Sequence, residues 1–116
     1  MDIHRDAYGD PEEKLRTAAK IGSAEVAKLM FVVGTNQLGL EHPNWQENLK
    51  FAIKLQEKAN KLYPGLCKEI DLRKERFNQH VAPGAIIVEV GGTGNTLEEA
   101  TASMKYLAKV IAEVDK

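Results

Sequence analysis

Between residues 43 and 63 the apolar positions Trp45, Leu49, Ala52, Leu55, Ala59 and Leu62 recur at steps of three and four, which predicts an amphipathic helix. Pro43 suits its first turn, where a missing N–H costs nothing, and Pro64-Gly65 stops it. A second helix is predicted from Leu97 to the C-terminus, with Leu97, Ala100, Met104, Leu107, Ala108 and Ile111 on its apolar face. Thr96 with Glu99 three residues on forms a capping box at its start. Elsewhere the pattern is that of strands. Residues 85–90 are a β-branched run between Pro83-Gly84 and Gly91-Gly92, apolar on both sides, and read as a central strand covered on both faces. Residues 26–33 read the same way, closed by Gly34, and 15–21 can pair with them as a hairpin through Gly22-Ser23. Residues 68–72 suit an edge strand, and residues 1–4 the last turn of another. The order β-β-β-α-β-β-α predicts an α/β fold, a mixed sheet flanked by helices, in one domain spanning residues 1–116.

Composition narrows the function without naming it. Sixteen Lys and Arg against seventeen Asp and Glu leave a formal charge of −1, which lacks the basic footprint of a nucleic-acid binder. An apolar fraction of 43% with 28% charged residues is that of a globular domain, not of a disordered chain. The longest apolar runs, at 29–33 and 85–88, fall far short of the roughly 18 residues of a membrane span. A single cysteine, Cys67, cannot form an internal disulfide.

Three features can carry chemistry. His4 stands at a strand end, where open α/β sheets gather functional groups, and is a candidate ligand or base; the alternative is a frayed terminal residue. His4-Arg5-Asp6 is not the kinase catalytic loop, since the required Asn is missing downstream. Glu89 is a carboxylate in an otherwise apolar strand, costly there unless it is paired or opens onto a cleft. Two glycines follow it, which places Glu89 at the strand's mouth as a general acid or base. The competing reading is a buried ion pair with Arg76 or Arg5. The polar run at 73–80 is either a solvated loop or a substrate-facing one. Gly91-Gly92-Thr93-Gly94 lacks the Gly-Lys-Ser/Thr ending of a phosphate loop, and His42 before Pro43 suits a helix cap.

Several phrases together closely resemble one family. They are Asp2-Ile3-His4-Arg5-Asp6-Ala7, Phe31-Val32-Val33-Gly34-Thr35-Asn36, His42-Pro43-Asn44-Trp45 with Asn48-Leu49, Arg76-Phe77-Asn78-Gln79-His80, and Glu89-Val90-Gly91 with Asn95-Thr96-Leu97-Glu98-Glu99-Ala100. In this order they are similar to the C-terminal part of the catalytic domain of the stage II sporulation protein P family. That resemblance implies a zinc-dependent N-acetylmuramoyl-L-alanine amidase, active also on peptide crosslinks of peptidoglycan, during forespore engulfment. It implies stage II sporulation proteins D and M as partners, and an extracytoplasmic site at the sporulation septum and engulfing membrane. It makes His4 the last zinc ligand and Glu89 the catalytic carboxylate, beside which Arg5, Arg76, Asn78 and His80 are the candidate substrate-binding residues.

The family's other two zinc ligands, a His and a Glu, lie upstream of the Asp-Ile-His phrase. The expectation is therefore an N-terminally truncated fragment, its membrane anchor absent, binding zinc weakly or not at all because a catalytic site needs three protein ligands. His80 or His42 could substitute only if a distant loop brought the imidazole into the fixed geometry that a metal site requires. Such a fragment is also expected to self-associate through its unpaired strand edge. The alternative from another class is a metal-free module that binds peptidoglycan or a partner through residues 73–80.

Overall fold

In a computed structural model of the chain, residues 2–6, 18–35, 37, 39, 45–74, 86–92 and 94–114 are described. Eight elements follow in order: β1 (Asp2–Asp6), β2 (Ala19–Ile21), β3 (Ala24–Val26), β4 (Leu29–Gly34), α1 (Trp45–Leu62), β5 (Asp71–Arg73), β6 (Ile87–Gly92) and α2 (Leu97–Glu113). The main sheet has the order β1-β6-β4-β5 and is mixed: β6 runs parallel to β1 and antiparallel to β4, and β4 runs parallel to β5. The predicted α/β class holds, four strands instead of the expected three precede the first helix, and β6 is an interior strand.

The predicted hairpin forms as β2 and β3, paired Ala19 to Val26 and Ile21 to Ala24. Gly22, at φ +62, takes the left-handed conformation that a two-residue hairpin turn needs. Residues 15–17 of that prediction lie outside the described residues. The single strand expected over 26–33 is instead two. Between them the backbone leaves the ladder: Ala27 donates its N–H to the Glu99 carbonyl at 3.2 Å, and the Lys28 carbonyl accepts from Gly91 at 2.8 Å. Backbone groups claimed by α2 and by the end of β6 cannot also extend a strand. The edge strand shifts as well. Cys67 bridges to Leu29 and Asp71 pairs with Val32, so the chain carries one residue more than β4 over that stretch. Gln56 of α1 donates to the Lys68 carbonyl there at 2.9 Å.

Alternate residues of a strand face opposite sides of the sheet. Leu29, Phe31 and Val33 of β4 therefore share a side with Val88 and Val90 of β6. Against that side pack Ala52, Leu55 and Ala59 of α1 and Leu107 and Val110 of α2, all in one core. Each large apolar side chain fully buried there contributes about 1.5–3 kcal/mol. Tyr63 meets Tyr106 edge-on, centroids 4.7 Å apart, and ties the end of α1 to α2.

The helices expose part of the face their periodicity predicts as buried. In α2 the buried residues are Glu99, Ser103, Leu107 and Val110, while Leu97 and Ile111 are exposed. In α1 Asn48 is buried and Leu62 is exposed; Trp45 is half-buried, not core. Polar anchors turn α2: the Ser103 hydroxyl donates to the Ala27 carbonyl, and the Thr96–Glu99 capping box is present in both directions. No helix among the described residues is long and apolar enough to cross a membrane.

Cys67 is half-buried beside Leu29, and burial pushes its thiol up to about 11. At pH 8 only about one molecule in a thousand then carries the reactive thiolate. Native protein should therefore react far more slowly with a disulfide reagent at pH 8 than urea-unfolded protein does. Equal rates would show that the thiol is ordinary.

Candidate active site

Two strands far apart in the sequence meet in the sheet. β1 lies along β6 with Asp2 opposite Ile87, Ile3 opposite Val88 and His4 opposite Glu89. Adjacent strands are about 4.8 Å apart, so His4 and Glu89 are immediate neighbours along the hydrogen-bonding direction. On the other flank Glu89 stands opposite Met30 of β4. Glu89 is not at the mouth of its strand, because β6 continues through Gly91 and Gly92. The register shifts beyond it: Asp6 pairs with Gly92, so β6 carries one residue more than β1 between the two pairs. That is a β-bulge, a device that bends a strand and re-aims its side chains.

The bulge is held from the α2 side. Gly91 adopts φ +61 and has no room for a side chain: a Cβ there would meet Asn95 and come within 2.8 Å of the Ala27 methyl. Buried Asn95 accepts a hydrogen bond from the Gly92 N–H at 2.9 Å and donates to Glu99 Oε1 at 3.4 Å. The same Glu99 oxygen accepts from the Thr96 N–H at 2.9 Å. Thus Asn95-Thr96-x-x-Glu99 caps the helix and pins the end of β6 with one set of polar groups.

Glu89 is buried, its side chain 11% exposed, and its carboxylate lies 3.6 Å from Nη2 of Arg73, itself 15% exposed. Arg73 Nε is also bound to Asp71 Oδ2 at 2.7 Å. Arg73 is thus an ion-pair partner of Glu89 that the sequence reading did not name, while the side chains of the expected partners, Arg76 and Arg5, lie outside the description. Arg76, Asn78 and His80 lie outside the described residues, as do Thr93, His42 and Pro43. Arg5 sits in β1, and its side chain, like that of His4, is outside the description. The sequence signal for Arg73 is the spacing Asp71-x-Arg73, which puts both charges on one side of an edge strand.

Among the described residues no group of three or more His, Cys, Asp or Glu converges as a metal cage. They do not hold a full zinc site by themselves. The chemistry that the arrangement offers is a buried carboxylate, beside a histidine position and braced by a guanidinium.

Fold and site together define an α/β domain in which a bulged interior strand carries that carboxylate at the centre of a mixed sheet. The chain belongs to the stage II sporulation protein P family, a family of sporulation proteins, whose sequence model, Stage II sporulation protein P (SpoIIP), matches residues 1–112. It is 32% identical over 119 aligned positions to the stage II sporulation protein P of Bacillus subtilis (strain 168), which covers 98% of this chain and 27% of that relative. The chain thus spans about a quarter of the relative's length. No solved structure matches it.

Proposed function

We propose that the protein is a peptidoglycan hydrolase, a zinc-dependent N-acetylmuramoyl-L-alanine amidase of engulfment, and that this chain carries Glu89 as its proton-transfer group and His4 as one zinc ligand. The observation that carries the reading is the register pairing of His4 with Glu89 from strands far apart in the sequence. The resemblance of their phrases to the family's catalytic motifs supports it. The remaining ligands would come from outside the described residues. When bound, zinc would supply Lewis-acid polarisation. Glu89 would take a proton from the water that attacks the lactyl carbonyl carbon. As the C–N bond breaks, it would return that proton to the departing L-alanine amine. Arg5, Arg76, Asn78 and His80 would face the glycan–peptide substrate. Partnership with stage II sporulation proteins D and M, at an extracytoplasmic septal membrane, belongs to the same proposal.

The buried Arg73–Glu89 contact favours a second reading, a metal-free module in which Glu89 is a structural ion-pair member. Zinc content separates the two. The full-length protein should hold one tightly bound zinc, and His4→Ala should lose it, because a first ligand is removed from a site with few to spare. A full-length protein without zinc would leave the binding module standing, and His4→Ala with unchanged zinc and activity would remove His4 from the ligand set.

A further inference from the structure

We propose that Arg73 is a positioning residue for Glu89, holding its carboxylate fixed in direction for proton transfer; this rests on the amidase reading above. The geometry is unusual for an ion pair that only glues strands together. β5 and β6 are not neighbours, since β4 lies between them. The two side chains must therefore span about two strand spacings across the sheet and, since Arg73 stands opposite Gly34 and Glu89 opposite Met30, four residues along β4. The guanidinium's way is clear at the start because the register partner of Arg73 on β4 is Gly34, which has no side chain.

Both ends of the arginine are held. At its base, the Arg73 carbonyl accepts from the Thr35 N–H at 3.0 Å and from the Thr35 hydroxyl at 2.9 Å, and Thr35 is itself buried. At its tip, Asp71 takes the Nε edge at 2.7 Å, which fixes the plane of the fork and turns Nη2 toward Glu89. The Nη2 to Oε1 separation of 3.6 Å is longer than a hydrogen bond. At that distance the guanidinium acts as a nearby positive charge that orients the carboxylate. Asp71 tempers that charge. The three groups form a relay of orientation, Thr35 and Asp71 on Arg73, and Arg73 on Glu89.

The test uses zinc-loaded full-length protein and release of muramyl peptides, with Arg73→Met, Arg73→Lys and Asp71→Asn beside Glu89→Gln. Misplacement of a reacting group costs on the order of 10²-fold, so Arg73→Met should lower kcat by that order with KM and zinc content unchanged. Arg73→Lys, at comparable melting temperature, should recover part of the loss by restoring the charge but not the fork. Asp71→Asn should lower kcat several-fold at unchanged KM. A kcat for Arg73→Met within about two-fold of the parent overturns the inference. So does a loss that follows the fraction folded, with Lys no better than Met. If Arg73→Met fails to fold, the half-exposed Asp71 decides: an unchanged kcat in Asp71→Asn overturns the inference. An active Glu89→Gln removes Glu89 as the proton carrier and sinks this inference with it. An inactive Glu89→Gln beside a fully active Arg73→Met sinks this inference alone.

Discussion

Glu89→Gln in the full-length protein should reduce muramyl-peptide release by about 10²–10⁴-fold, the usual contribution of a positioned general base. Glutamine keeps the volume of the side chain and can still meet Arg73, but it cannot accept a proton from water. Zinc content should stay at the parent value, in contrast to His4→Ala. A purely structural Glu89 predicts another outcome. Removing one partner of a buried pair costs about 3–5 kcal/mol, so Glu89→Gln would melt early and whatever stayed folded would still cut. Product release measured beside melting temperature separates the two. An unstable but active variant would retire Glu89 as the proton carrier.

Gly91→Ala should be the most destabilising single methyl that the β6–α2 junction can receive. A non-glycine residue in the left-handed region costs about 1–2 kcal/mol, and overpacking a well-packed site about 1–3 kcal/mol more. Here both apply, since the new Cβ would stand 2.7 Å from Asn95 Cγ and 2.8 Å from the Ala27 Cβ. A total of about 2–5 kcal/mol is a large part of the 5–15 kcal/mol that a domain has to lose. The damage is directional, because Asn95 is the residue that holds Gly92 in place. Urea unfolding should show a clearly lower midpoint at unchanged slope. A shift under about 0.5 kcal/mol would mean that the junction relaxes and that its tight packing is not required.

Local features were legible in the sequence where the chain signals to itself. The capping box at Thr96 and Glu99, the hairpin at Gly22-Ser23 and the apolar strand around Val88 all depend on residues within a few positions of one another. What the sequence hides is what distant segments do to each other. Ala27 and Lys28 look like strand interior, yet α2 and β6 claim their backbone groups. Leu97 and Ile111 complete an apolar stripe, yet Ser103 and Glu99 turn a different face of α2 inward. Glu89 was visible as a charge out of place and His4 as a strand-end histidine. Their adjacency is a matter of register, which no spacing along the chain encodes. Arg73 was overlooked because it opens a charge run, and its alternation with Asp71 is a two-residue signal.

The pairing of β1 with β6 joins residues roughly 85 positions apart, and closing a loop of that length costs about 4 kcal/mol in chain entropy. By comparison, the β2–β3 hairpin closes over two residues. On entropic grounds the hairpin and the helices form early, and the long-range pairings of β6 with β4 and with β1 follow. His4 and Glu89 therefore become neighbours late in folding. Under the amidase reading, completion of the catalytic centre is thus tied to completion of the whole sheet. A wall-cutting protein built this way would emerge from the ribosome inert and acquire its edge late.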